Sequence, residues 1–223
     1  MSKAKTNKAR IAYMEVQLQN LAKADIPAQA AALGLSLDAS GKKVSLKFLG
    51  RDYLVGNDGV TAPDGKFVTV DSQSVLAHYL CSRGRGEISP DYVPISRLTG
   101  VASGASAGAS PSDSLAKPLG DKFGADYEAF RAAALAVGAV HEGLSPAGAQ
   151  SFLFRDLPKL PARIEFFEAD EEFDAEIKTL FNKNANIFVS YECLELLTMC
   201  LVVELLLRAG LISDPEDCEA SFL

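Results

Sequence analysis

The feature that most constrains the fold is residues 44–70, in which β-like runs alternate with turn sequences. The first run, VSLKF, alternates apolar and polar side chains, which is typical of a half-buried β-strand. LGR then marks a tight reversal, and the turn sequences NDG and PDG follow. The last run, Lys66–Val70, is the clearest strand candidate after these turns. The stretch therefore predicts an antiparallel meander.

Helix-type patterns surround this β region without interleaving with it. The predicted helices are residues 11–24, 27–34, 124–138, Asp170 to Phe181, Ser190 to Arg208, and one capped by Asp71 or Ser72 that ends by Gly84. Further predicted strands are residues 92–98, 151–157 and 162–167. Because helices and strands fall in separate groups, the pattern predicts an α+β fold, with an antiparallel meander or mixed sheet packed against several helices.

The length of the chain and the positions of its polar tails and loop predict one domain. We expect a basic tail over residues 1–10, a single α+β domain over 11–210 and an acidic tail over 211–223. Glycine, alanine and serine dominate residues 100–114, which predicts a mobile loop. Within that loop GASAG matches the G-x-S-x-G pattern of hydrolases at Ser106, but neither a strand nor a helix is predicted beside it, so the match is weak.

Composition excludes several classes of protein. Apolar residues make up 48% of the chain, which excludes disorder throughout, and the net charge of −7 disfavours nucleic acid as a partner. The most apolar segment is short and contains Glu204, so no membrane span is predicted. The four cysteines form no CxxC pair, and no signal peptide is recognised. These observations favour a cytoplasmic protein with reduced thiols.

Residues 166–181, FFEADEEFDAEIKTLF, crowd six acids beside apolar residues. One interpretation is structural, since acids in the first turn of a helix that begins at Asp170 would meet the positive end of its dipole. The other interpretation is chemical, because clustered carboxylates can bind magnesium, calcium or manganese, or act as an acid and a base. The helix interpretation is favoured, and the metal interpretation stays open.

Each of the other candidate residues also has a purely structural interpretation. His78 lies opposite the apolar face of a helix or at the edge of that face, where it is either a hydrogen-bonded, partly buried residue or a ligand for a metal or a cofactor's iron or cobalt. His141 is predicted in a loop with no partner. Cys193 and Cys200 share a face of the last helix, which is apolar on nearly every side. Such a helix is either buried in a core or covered by a partner.

Several sequence blocks resemble a known family. They are FLGRDYLV, LAHYL, YVPISRLTG, LPKLPARIEFFEADEEFDAE, LF and VSYECL, in that order along the chain. Together they resemble the uncharacterised family called domain of unknown function 3786, found in anaerobic bacteria and methanogenic archaea, over about residues 16 to 209. The resemblance implies an anaerobic setting near corrinoid or one-carbon metabolism, and it implies no reaction.

Three functions follow from these observations. The favoured one is a non-catalytic accessory protein that binds a small molecule, a cofactor or a protein partner, with the cofactor unknown. The tentative ligand-binding residues are His78, Tyr79, Asp170, Glu171, Glu172 and Glu192. The alternatives are an interaction subunit or homodimer built on the apolar last helix, and a metal-dependent enzyme that uses the Asp-Glu-Glu carboxylates.

Overall fold

A computed structural model describes residues 3–82, 84, 86–98, 117–124 and 126–213. The six α-helices of this part are α1 (Lys3–Leu21), α2 (Ile26–Leu33), α3 (Val70–Leu80), α4 (Lys117–Phe123), α5 (Tyr127–Ala136) and α6 (Tyr191–Arg208). The strands are β1 (Ser36–Leu37), β2 (Val44–Phe48), β3 (Arg51–Gly56), β4 (Gly59–Thr61), β5 (Tyr92–Val93), β6 (Val140–Leu144), β7 (Gln150–Phe154), β8 (Ala162–Phe167) and β9 (Glu176–Asn182). The predicted loop at 100–114, Ser106 and residues 214–223 of the predicted acidic tail lie outside the described residues. The α+β prediction is confirmed, and both sheets are antiparallel rather than mixed.

The first sheet is the predicted meander, with strand order β1-β2-β3-β4. Its strand β2 buries every second side chain, as the alternation predicts. The strand predicted over Lys66–Val70 is wrong, because α3 already begins at Val70. Its cap is Thr69, whose side chain accepts a hydrogen bond from the Ser72 backbone N–H at 3.2 Å. The predicted caps Asp71 and Ser72 instead lie in the first turn of the helix.

The second sheet has the order β5-β9-β8-β7-β6, and its strand β9 overturns the predicted helix from Asp170 to Phe181. Asp170 closes a turn rather than opening a helix, since its Oδ1 accepts the backbone N–H groups of Glu172 and Phe173, each at 2.8 Å. The chain then returns beside β8, with Ile177 opposite Phe166. Pairing with β8 thus outweighs the helix-like placement of the acids, and Phe173 is left 69% exposed.

Two other predicted boundaries also shift. The strand predicted over 92–98 is confined to β5, because Pro94 has no N–H to donate, and a 3₁₀ turn over Ile95–Arg97 follows. Helix α3 ends at Leu80 instead of reaching Gly84. At Gly84 a Cβ atom would lie 2.3 Å from the carbonyl oxygen of Ile187, so the close approach of these two segments requires glycine.

Helix α6 lies in the core of the molecule, which accounts for its apolar pattern. It begins at the predicted cap Ser190, and only Glu192 and Arg208 along it are exposed. The thiols of Cys193 and Cys200 are buried, so their prediction as core thiols is confirmed. None of the described helices combines the length and the apolar character that crossing a lipid bilayer requires.

Helix α1 begins at Lys3 rather than near residue 11, and it lies along α3. Arg10 forms a largely buried ion pair with Asp71, its Nε donating to Oδ1 at 3.0 Å. The buried side of α1 includes Gln17 and Leu21, whereas Ile11, whose apolar side chain recurs at helical spacing with Met14, Leu18 and Leu21 in the sequence, is 36% exposed. The inward face of α1 is therefore more polar than the apolar spacing predicts.

Candidate ligand-binding cleft

A cleft of about 580 Å³ lies between α1, α2, the end of α3 and the segment that leads into α6. The turn between α1 and α2 forms one side, and Asn57 fixes it by donating to the carbonyl oxygens of Leu21 and Ala24, each at 2.9 Å. Asp25 then caps α2 by accepting the N–H of Ala28 at 3.1 Å. The polar side chains that line the cleft are Gln17, Asn20, Lys23, Gln29, His78, Ser82, Asn186 and Ser190.

His78 joins three helices at the wall of this cleft. The backbone N–H of Ser190 donates to its Nε2 at 3.2 Å, and its Nδ1 lies 2.8 Å from the Tyr13 hydroxyl. Because an amide N–H can only donate, Nε2 accepts, so in the neutral ring Nδ1 carries the proton and donates to Tyr13. The Tyr13 hydroxyl also lies 3.2 Å from Ser190 Oγ, and either hydroxyl can be the donor in that contact. The interpretation of His78 as a partly buried, hydrogen-bonded residue is confirmed.

Electrostatics keep this network neutral. Burial lowers the pKa of His78, and the carboxylate of Glu192 opposes that shift only in part. Burial raises the pKa of Tyr13, with a smaller rise from Cys193. A neutral imidazole with both nitrogens in hydrogen bonds has no lone pair left for a metal, a cofactor or a substrate proton. His78 therefore links α1, α3 and the start of α6 at the wall of the cleft.

The cleft offers no activated nucleophile at Cys81, whose thiol also lines it. Burial raises the pKa of that thiol to about 11, so it is protonated at neutral pH, whereas the reactive form of a cysteine is the thiolate. The described residues of the lining include neither aspartate nor glutamate.

Two glutamine side chains, Gln17 and Gln29, line the cleft, and Gln17 is 7% exposed. Oε1 of Gln29 is buried, and no donor among the described residues reaches it. A buried polar atom without a partner costs about 1–3 kcal/mol. Oε1 of Gln29 is therefore suited to accept a hydrogen bond from a molecule that enters the cleft, and the Gln17 amide offers a further acceptor and donor in the same lining.

The structure separates the residues predicted as ligand-binding. His78 lines the cleft, and Glu192 is close enough to influence its pKa. Tyr79 is fully buried, its hydroxyl accepts the N–H of Lys159 at 3.0 Å, and burial raises its pKa to about 12. It is a core residue, and its side chain does not line the cleft.

The acidic block lies elsewhere, in the exposed turn between β8 and β9. Asp170, Glu171 and Glu172 are all exposed, and none of them lines the cleft. Within the described part of the chain, no three histidine, cysteine or acidic side chains are grouped as a metal site. The turn is held by the two hydrogen bonds that Asp170 Oδ1 accepts, and the side chains of Glu171 and Glu172 are exposed to solvent.

Sequence reasoning missed the two glutamines. Tyr13, Gln17 and Leu21 are spaced four residues apart, so they share one face of α1. A glutamine between a tyrosine and a buried leucine is the signal that could have found this site. The prediction for His141 is also wrong, because it lies on β6, where its Nε2 is 3.0 Å from Gln150 Oε1 and its ring stacks on Phe152.

Fold and cleft together define an α+β protein with two antiparallel sheets and a polar cleft beside its N-terminal helix. The chain belongs to the family described as Domain of unknown function (DUF3786), whose model matches residues 25–204. The match confirms the resemblance seen in the sequence blocks and contains both sheets and helices α2 to α5, while α1 precedes it. Comparisons with curated proteins and with solved structures found no match.

Proposed function

We propose that this protein is a non-catalytic binding protein that holds a small organic molecule in the cleft beside His78. The observation that carries the proposal is the buried Oε1 of Gln29, which has no donor among the described residues, together with the Gln17 amide in the same cleft of about 580 Å³. Pockets of roughly 300–1,000 Å³ hold drug-sized ligands, and a few placed polar groups fix their orientation. The cleft meets both criteria.

Binding is favoured over catalysis by the state of the groups that could react. His78 has both ring nitrogens in hydrogen bonds, and the Cys81 thiol is protonated at neutral pH. A general base needs a free lone pair, and a nucleophile needs an activated form. The metal-dependent alternative loses its support as well, because the Asp170–Glu172 carboxylates lie in an exposed turn outside the cleft.

The proposal also includes a role as an accessory protein in anaerobic metabolism, near corrinoid or one-carbon pathways. Only the family resemblance supports this part of the proposal. Axial ligation of a corrinoid or haem by His78 gains no support, since neither ring nitrogen is free. The apolar surface of α6 does not require a homodimer or a protein partner to cover it, because the chain's own core covers that helix. A partner at another surface stays a prediction.

A metabolite screen by thermal unfolding tests the proposal. A ligand at one hundred times its Kd stabilises by about 2.7 kcal/mol, which raises Tm by about 5–10 °C for a chain of this size. We expect at least one compound class to produce such a shift in the wild type. The shift should disappear in Gln17→Leu, which removes the amide at similar volume.

Gln19→Leu is the matched control, because Gln19 lies on the same helix, is exposed and does not line the cleft. It should retain the full shift. A screen in which no class raises Tm, or in which every shift survives in Gln17→Leu, would overturn the proposal. Circular dichroism of each variant establishes that the fold is intact.

A further inference from the structure

We infer that the molecule bound in the cleft is a planar heterocycle, neutral or singly anionic, with a hydrogen-bond donor and an acceptor side by side on its edge. Nucleobases and nucleosides are the class with this chemistry. The inference rests on the proposed function and narrows it to one chemical class.

Charge excludes other classes first. The chain carries a net charge of −7, yet the described lining residues contribute no carboxylate, and Lys23 is their one cation. The carboxylate of Glu192 lies near His78 but outside the lining, so an amine, an amino acid or a metal ion would enter without the paired counter-charge that a partly buried cation requires. A polyanion would meet one exposed lysine, whereas phosphate-rich ligands are usually held by several donors. A ligand with little net charge remains.

Hydrogen bonding then requires both donors and acceptors on the ligand. Oε1 of Gln29 needs a donor, and the Gln17 amide in the same lining offers one carbonyl acceptor and one NH₂ donor. A primary amide is complementary to an edge on which donor and acceptor are adjacent. Glutamine and asparagine pair with adenine in this way through two hydrogen bonds.

Shape favours a flat ring over a flexible polar chain. Ile187 lines the cleft and is 47% exposed, although it is a large apolar side chain. Ala24 and Val189 add apolar surface to the same lining. A ring that covers Ile187 would remove apolar surface from water while its edge reaches the glutamines. A sugar alone would cover this surface with hydroxyl groups.

Lys23 indicates that an anionic group is attached to the ring. Its side chain is exposed and belongs to the lining, so a phosphate or carboxylate attached to the heterocycle can approach its ammonium group from solvent. We therefore expect a nucleoside monophosphate to bind more tightly than the nucleoside, by a factor that decreases with added salt.

Isothermal titration calorimetry tests the inference. The probes are adenosine and uridine, their 5′-monophosphates, and a sugar and a dicarboxylate as other classes. At least one nucleoside should bind the wild type and Gln19→Leu equally. Its Kd should rise at least tenfold in Gln17→Leu and in Gln29→Leu. Lys23→Ala should abolish the advantage of the monophosphate over the nucleoside.

The outcomes separate this inference from the proposed function. If the sugar or the dicarboxylate binds in a Gln17-dependent way and no nucleoside does, the heterocycle is refuted and the binding role stands. If no probe binds and the metabolite screen is also negative, both fail. A monophosphate that gains nothing over its nucleoside, or that keeps its gain in Lys23→Ala, refutes the assignment of Lys23.

Discussion

Replacement of Asp156 by asparagine should stabilise the protein at neutral pH and leave its stability near pH 4 unchanged. Oδ2 of Asp156 accepts the backbone N–H of Leu49 at 2.8 Å, at the turn between β2 and β3. Its neighbours include Phe48, Leu157 and Leu160, so water has limited access to the carboxylate. Burial raises the pKa of Asp156 to about 6, although the Leu49 amide and Lys47 oppose the rise.

The magnitude follows from the difference between the folded-state pKa and the ordinary value of 3.8. A difference of about two corresponds to about 3 kcal/mol, and partial exposure reduces this to about 1–3 kcal/mol. Because the folded-state pKa is the higher one, the contribution is fully present below about pH 4. It is lost as pH rises towards about 6, since the unfolded chain ionises first. Asparagine keeps an acceptor for Leu49 and has no charge to desolvate.

Urea unfolding of the wild type and Asp156→Asn at pH 4 and pH 7.5 measures this difference. We expect the variant to be more stable by about 1–3 kcal/mol at pH 7.5 and equal at pH 4. Asp38→Asn is a control of opposite sign, because hydrogen bonds from Ser40 and then from the Lys43 amide lower the pKa of exposed Asp38. A stability difference for Asp156→Asn that does not change with pH would refute the reasoning.

Three more substitutions test the packing of the fold by urea unfolding. His78→Leu should lower the free energy of unfolding by about 2–4 kcal/mol. It should also remove the loss of stability expected for the wild type below pH 6.5, which arises because the imidazole takes up its proton first in the unfolded chain. An unchanged dependence of stability on pH would contradict this. Gly50→Ala should cost more than Gly34→Ala, because both have positive φ but only at Gly50 would a Cβ lie 3.2 Å from backbone atoms; equal costs would contradict this. Arg10→Met should cost about 2–4 kcal/mol and speed hydrogen exchange in α1, whereas Lys66→Met, at an exposed ion pair, should have little effect; similar effects would contradict the buried pair.

Local patterns predict much of the fold correctly. The alternation in VSLKF fixes which face of β2 is buried, and the Ser190 hydroxyl marks the start of α6 because capping chemistry is local. The strand β9 was not predicted, since the acids before it are typical of a helix start. Its strand conformation depends on pairing with β8, which sequence periodicity does not report.

The cleft was less predictable than the fold. The sequence marks His78 as a candidate, but the glutamines at positions 17 and 29 belong to no motif. They line the same cleft as residues 186–190 only because of how α1 and α2 pack. The acidic block is easily recognised in the sequence, because clustered carboxylates are a common sign of a metal or acid–base site. Neutral amides become informative only when their burial and missing partners are known.

The most direct test of the account is a chemical-shift titration of isotope-labelled protein with the compound that gives the largest thermal shift. The account predicts that the largest changes fall on Gln17 and Gln29 side-chain amides and on backbone amides of residues 186–190. Changes confined to other surfaces, with these amides unmoved at saturation, would contradict the cleft as the binding site.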